Sequence, residues 1–176
     1  PTAVMVATGK GAEHGILIKG GEALERAREL DLILFDKTGT VTVGRPEMVE
    51  VGAVPGVDAD LLLTRVASLE KASEHPLGEA MVRAATARGL ELVEPEGFRA
   101  LPGQGAVGVV GGSMVVAGTA VLMDDYGIAV GPVAERALVL ATEGATIVYV
   151  GIDGALEGFV AVADPPRSTS AAALER

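Results

Sequence analysis

Residues Ala106 to Met123 carry no charge, yet they hold four glycines, a serine and a threonine. The run is long enough to cross a membrane, but its glycines argue for something else. At its centre "VVGGSMVV" sets Gly111 and Gly112 between apolar runs, the pattern of a two-residue hairpin turn. "ATIVYVGIDGALEGFVAVAD" (145–164) repeats it as strand, turn at Asp153-Gly154, strand. Strands joined by such short turns pair antiparallel, so these two signals limit the architectures open to this half of the chain.

The surrounding segments read as follows. "PEMVEVGA" (46–53) alternates like a strand, and "DADLLLTRVASLEKAS" (58–73) is helical with Asp58 as N-cap. "PLGEAMVRAATARG" (76–89) is a second helix, with Pro76 at its first position and Gly89 just past its end. Glycine-rich strands are predicted over about 97–118, and short helices over 119–126 and 132–143. Nearer the start, "ILIK" (16–19) reads as a short strand. "GGEALERAREL" (20–30) reads as an amphipathic helix with Leu24, Ala27 and Leu30 on one face. "LILF" (32–35) has the continuous apolar pattern of a strand buried on both faces, as in a parallel α/β sheet. "PPRSTSAAALER" (165–176) resembles a helix start with Ser or Thr caps. The predicted organisation is α/β at both ends around an α+β insertion, with hinges at "VTVGRP" (41–46) and "AVADPPR" (161–167). The chain opens on Pro1 and stops in the helix-like "AAALER", so it reads as an excised piece, and no signal-peptide pattern is present.

Of 176 residues, 49% are hydrophobic and 22% charged, which is ordinary globular usage and excludes a disordered polyanion. Aromatics are only 3%, so the core must be built from Val, Leu, Ile and Ala. A net charge of -10 argues against nucleic acid or anionic lipid, which need a basic face. Any phosphate site must then be local. With no cysteine, disulfides, thiolate metal sites and a Cys nucleophile are excluded.

"LILFDKTGT" (32–40) runs from apolar residues straight into an aspartate and a polar turn. A carboxylate at the carboxyl end of a strand suits a nucleophile that attacks phosphorus. The turn's N–H and hydroxyl groups can hold phosphoryl oxygens, and Lys37 adds positive charge. On its own, D-x-T-G-T serves equally well as an Asx-turn opened by Asp36. Three further motifs follow in order: "SEHPLGEA" (73–80), with Glu70 five residues before His75; "PGQGAVG" (102–108), with Gly103 and Gly105; and "DPPR" (164–167). Singly, His75 reads as a surface histidine, Glu70 as a solvated helix charge, and G-x-G as an ordinary strand turn. Asp164 and Arg167 alone make a loop salt bridge, which is worth little if exposed.

Taken together the motifs resemble those of the heavy-metal (class IB) P-type ATPases, ion pumps of the haloacid dehalogenase superfamily, and the resemblance covers essentially the whole chain. "PTAVMVATGKGAEHGILIKGGEALE" is similar to the corresponding segment of the Cu(I)/Ag(I) exporters. The resemblance implies an α/β fold: a partial haloacid-dehalogenase-like (Rossmann-like) phosphorylation domain, residues 1–44 and 161–176, with an inserted α+β nucleotide-binding domain, 45–160, whose antiparallel sheet is flanked by helices. It implies that Asp36 is phosphorylated, with Lys37 and Thr38 beside it, and that Asp36 and the Thr38 carbonyl help to hold Mg²⁺. ATP would meet Glu70, His75, Gly103, Gly105 and Gly118. Thr119 stands where the family usually has asparagine. Thr38 replaces the second aspartate of the superfamily's phosphatases, which slows attack of water on a phospho-enzyme.

The implied setting is the cytoplasmic portion of a membrane pump. Its partners would be ATP, Mg²⁺, Cu(I) or Ag(I) bound outside this segment, and the parent's transmembrane and actuator domains. The family's later motifs, TGD and GDG-x-ND, do not occur, so the piece is expected to bind ATP without turning over. Two other readings stay open on sequence alone: a haloacid-dehalogenase phosphatase with an inserted cap, and a nucleotide-binding module without chemistry. His14 reads as a surface residue.

Overall fold

The computed structural model describes residues 2–175. The chain forms two compact units that divide between Asp36 and Lys37. In the second unit, β1 (Glu47–Ala53) is followed by α3 (Ala59–Glu70) and α4 (Pro76–Ala87). Strands β2 (Glu96–Leu101), β3 (Gly105–Val110) and β4 (Ser113–Gly118) come next, then α5 (Ala120–Asp125) and α6 (Gly131–Thr142), and β5 (Thr146–Ile152) with β6 (Ala155–Ala163) complete the sheet. α7 (Ser170–Leu174) closes the unit.

The six strands lie in the order β1-β6-β5-β4-β3-β2, and every neighbouring pair is antiparallel. Both predicted hairpins form. Gly111 and Gly112 have φ of 57° and 84°, and Asp153 and Gly154 have φ of 49° and 83°. Two consecutive positive φ values match the twist of the flanking strands, which is why Asp-Gly and Gly-Gly occupy these turns. The Asp153 carboxylate also accepts from the Met114 N–H at 2.9 Å, tying one hairpin to the other.

Side chains alternate across the sheet with period two. Val115, Val150, Val160 and Val162 face α3 and α4, where Leu62, Leu63, Val66, Leu69 and Met81 meet them. On the opposite face Val107 and Val116 pack with Leu122, Met123 and Ile128, while Phe159 and Ala161 pack with Val133, Ala137 and Leu140 of α6. The scarcity of aromatics is met as composition requires: among the fully buried side chains of the core, Phe159 stands with Leu, Met and Val. Asp58 caps α3, its Oδ1 accepting from the N–H groups of Asp60 and Leu61 at 2.8 and 3.0 Å. α7 begins after Thr169, as the Ser/Thr pattern predicts, but no side chain caps it, and Ser170 Oγ instead donates to the Val41 carbonyl at 2.6 Å.

The first unit departs from the sequence expectation. Its elements are α1 (Thr2–Glu13), which the sequence pattern did not disclose, α2 (Gly21–Arg26), and a tight helical turn, Ala27–Glu29. Neither 16–19 nor 32–35 forms a strand. No described residue of this unit is buried, and Leu34 is 87% exposed. A strand exists through its ladder partners, and residues 2–36 hold no second strand for 32–35 to pair with.

Candidate functional site

Pro76 organises the site from the sequence upward. A proline drives the preceding residue out of helical conformation, and His75 has φ -79° and ψ 134°. That geometry makes His75 the N-cap of α4, its Nδ1 accepting from the Leu77 N–H at 3.2 Å. In the neutral ring the proton then sits on Nε2, which is free to donate to a ligand.

Glu70, the last residue of α3, is buried, with 8% of its surface exposed. Burial pushes its carboxyl above the ordinary glutamate value, while a hydrogen bond from Ser73 and, when its ring is protonated, His75 pull the other way. The reading of Glu70 as a solvated helix charge is therefore corrected: α3 ends under the connection to α4.

Across from these helix ends, the β2–β3 turn brings in Gly103 and Gly105, and the end of β4 brings in Gly118. Glu70, His75, Gly103, Gly105 and Gly118 all line one cavity of about 320 Å³, together with Ser73, Thr119 and Thr146. The three glycines serve different ends. Gly103 has φ 74° with open space where a side chain would project, so it gives both the turn and access. Gly105 and Gly118 face each other in the ladder. A Cβ on Gly105 would lie 2.1 Å from the Ala117 carbonyl oxygen, and one on Gly118 would lie 2.2 Å from that of Gln104. These two are glycine because the neighbouring backbone fills the space. Thr119 caps α5, its Oγ1 accepting from the Leu122 N–H at 3.3 Å. Gly78, Met81 and Thr146 also line the cavity, and sequence reasoning gave them no role. Gly78 lies within the SEHPLGEA motif, where His75 drew the attention, while Met81 and Thr146 come from α4 and the start of β5, where no motif marks them.

The remaining sequence candidates lie elsewhere. Asp36 closes the first unit, and Lys37 and Thr38 open the second. In the turn after Lys37, Gly39 adopts φ 79° and its N–H donates to Thr42 Oγ1 at 3.1 Å. Thr42 in turn hydrogen-bonds the Asp164 carboxylate, which also accepts from the N–H groups of Gly44 and Arg45 at 2.9 and 3.1 Å. Arg167 donates to the Gly39 carbonyl at 2.9 Å, and its N–H to the Val41 carbonyl at 2.9 Å. The two segments predicted as hinges are thus bonded to one another. Asp164 and Arg167 each hold the facing segment, and no ion pair joins them among the described residues. His14 is exposed. No three His, Cys, Asp or Glu side chains among the described residues gather closely enough to hold a metal ion. No helix among them is long and apolar enough to cross a membrane.

The chain is 45% identical over 99% of its length to a copper-transporting P-type ATPase of Rhizobium leguminosarum bv. viciae, of which it spans 21%. It spans about a fifth of the length of the curated relatives it matches. Its structure resembles a crystal structure of a zinc-transporting PIB-type ATPase in the E2.Pi state, with a TM-score of 0.81 and 33% identity, covering 98% of this chain and 28% of that one. It also resembles the catalytic domain of the CPx-ATPase CopB-B, whose conformational changes upon nucleotide binding have been described, with a TM-score of 0.69 and 26% identity, covering 96% of this chain and 57% of that one. A family model for haloacid dehalogenase-like hydrolases matches residues 30–176. The match takes in Asp36, the whole sheet with its cavity and the bonded hinge segments, and by it the chain belongs to the haloacid dehalogenase-like hydrolase family.

Proposed function

We propose that the chain is the ATP-binding segment, and part of the phosphorylation segment, of a copper-translocating P-type ATPase facing the cytoplasm. The observation that carries this reading is the cavity. Residues as far apart as Glu70 and Gly118, chosen from separate motifs, line it together. Its volume suits a small planar ligand, and its walls combine apolar surface with a few polar groups, as nucleotide sites do. On this reading residues 45–160 form the nucleotide-binding domain. Adenine lies near Glu70 and His75, whose Nε2–H is free to donate. The backbone at Gly103 gives close approach to the rest of the nucleotide.

Asp36 would then receive the γ-phosphoryl group: a carboxylate oxygen forms the new P–O bond as the bond to ADP breaks. Lys37 offsets the charge of the transferred group. Thr38 supplies no acid or base, which leaves the aspartyl-phosphate slow to hydrolyse. Asp36 and the Thr38 carbonyl would help to hold Mg²⁺, whose charge would offset that of the transferred group. Cu(I) or Ag(I) would be cargo bound by other parts of the parent pump, whose membrane and actuator domains are the expected partners.

The test is calorimetric titration of the chain with ATP. Because His75 also caps α4, His75→Asn is the variant to use, since asparagine keeps a capping acceptor and removes the imidazole. Weaker binding by this variant, with its fold intact, supports the reading. Failure of the folded parent chain to bind ATP overturns it. In the full-length pump, Asp36→Asn is expected to abolish transport, whereas a module without chemistry would tolerate it.

A further inference from the structure

Glycine favours helix less than alanine, and at Gly78, in the first turn of α4, no positive φ requires it. What stands in its place is Glu70. A Cβ built on Gly78 would lie 2.4 Å from Glu70 Oε2, 3.2 Å from its Cβ and 3.3 Å from its Cδ, and these are its three nearest atoms. Gly78 is itself buried and lines the same cavity as Glu70.

We propose that Gly78 is a positioning residue, whose missing side chain lets the Glu70 carboxylate lie across the first turn of α4 and face the cavity. The functional consequence rests on the nucleotide reading above, while the positioning does not. A methyl at residue 78 meets Glu70 first, since its three nearest atoms all belong to that side chain, so the far end of Glu70 must move to make room. The burial that raises the Glu70 carboxyl above its ordinary value reflects the same placement.

The experiment uses the full chain carrying Gly78→Ala, Glu70→Ala, and both. Alanine is compatible with helix, and the atom it crowds most is the far end of the flexible Glu70 side chain, so Gly78→Ala is expected to fold. In that variant the Glu70 carboxyl, followed by carbon NMR through a pH titration, is expected to move back toward the ordinary value of 4.5. Calorimetry is expected to give ATP binding weakened about tenfold, the scale of one hydrogen bond to a charged group. In the Glu70→Ala background the second substitution is expected to change nothing further. An unshifted carboxyl titration overturns the positioning role, as does an ATP affinity lost equally in both backgrounds. If the unmodified chain does not bind ATP, the nucleotide reading falls, and the carboxyl titration alone still decides the role of Gly78.

Discussion

Two apolar segments, residues 32–35 and 146–152, look alike in sequence and differ completely in structure. "TIVYVGI" lies inside the sheet between β4 and β6, with Val150 fully buried. "LILF" forms no strand, and its four residues are all exposed. The difference comes from what surrounds each run. Residues 146–152 have ladder partners on both sides and helices over both faces, so Val148 and Val150 are buried, and Ile147 and Tyr149 partly so, by neighbours distant in sequence. Residues 32–35 have no such neighbours within their own unit. Apolar character marks a segment as able to be buried, and the fold decides whether it is.

The contrast is broken or sharpened most strongly by truncating one leucine in each region. Leu63 is fully buried against the sheet. Leu63→Ala is expected to cost about 2–5 kcal/mol through lost burial and the cavity left behind. Leu34→Ala is expected to change stability by less than about 0.5 kcal/mol. Urea unfolding of both variants tests this, and equal costs would mean that residues 32–35 are buried in solution.

The turn at 37–42 belongs to the second unit by a different route, through hydrogen bonds rather than apolar packing. Thr42 is buried and links the Gly39 N–H to the Asp164 carboxylate. Thr42→Val keeps the shape and strips both bonds, so a cost of about 1–3 kcal/mol is expected from the unpaired groups. Thr42→Ser should recover most of it. If valine is tolerated, the two hinge segments are held by the backbone pairing of Thr42 with Pro166 and not by the hydroxyl.

Much of the second region was legible because its signals are local. Asp-Gly and Gly-Gly fix hairpins through φ, Asp58 caps through its carboxylate, and Pro76 starts a helix by excluding the alternative. The antiparallel strand order was not readable, since nothing local says that β1 pairs with β6. The candidate site follows the same division. His75 and Gly103 stood out by motif, but the burial of Glu70, the reason for glycine at residues 105 and 118, and the fit of Gly78 against Glu70 all depend on chains meeting in space. In the first region the strand pattern misled because a buried parallel strand is wholly a property of its neighbours.

A smaller effect separates the two roles of His75. His75→Gln is expected to destabilise the chain by about 1 kcal/mol, because glutamine is a poor N-cap, whereas His75→Asn should cost little. Both are expected to weaken ATP binding if the imidazole meets the nucleotide. Loss of affinity only in the glutamine variant would assign His75 to the helix rather than to the ligand. Thermal melts beside calorimetry distinguish these outcomes.

The smallest effects set two glutamates of the second unit against each other. The Arg136 side chain hydrogen-bonds Glu50 and holds its carboxyl below the ordinary 4.5, with a smaller opposing push from burial. Its stabilising contribution is therefore present above pH 4.5 and is lost as pH falls through the lowered value. Glu70 has the opposite sign, because burial favours its neutral form. The folded chain holds that proton where the unfolded chain has released it, so stability is greatest below pH 4.5 and falls as pH rises through the raised value. Stability measured against pH should show the second decline disappear in Glu70→Gln and the first shrink in Glu50→Gln, the latter by well under about 1 kcal/mol for so exposed a pair. If Glu70→Gln leaves the upper slope intact, the carboxyl is not held in the crevice between α3 and α4, and the assignment of Gly78 as its support fails with it.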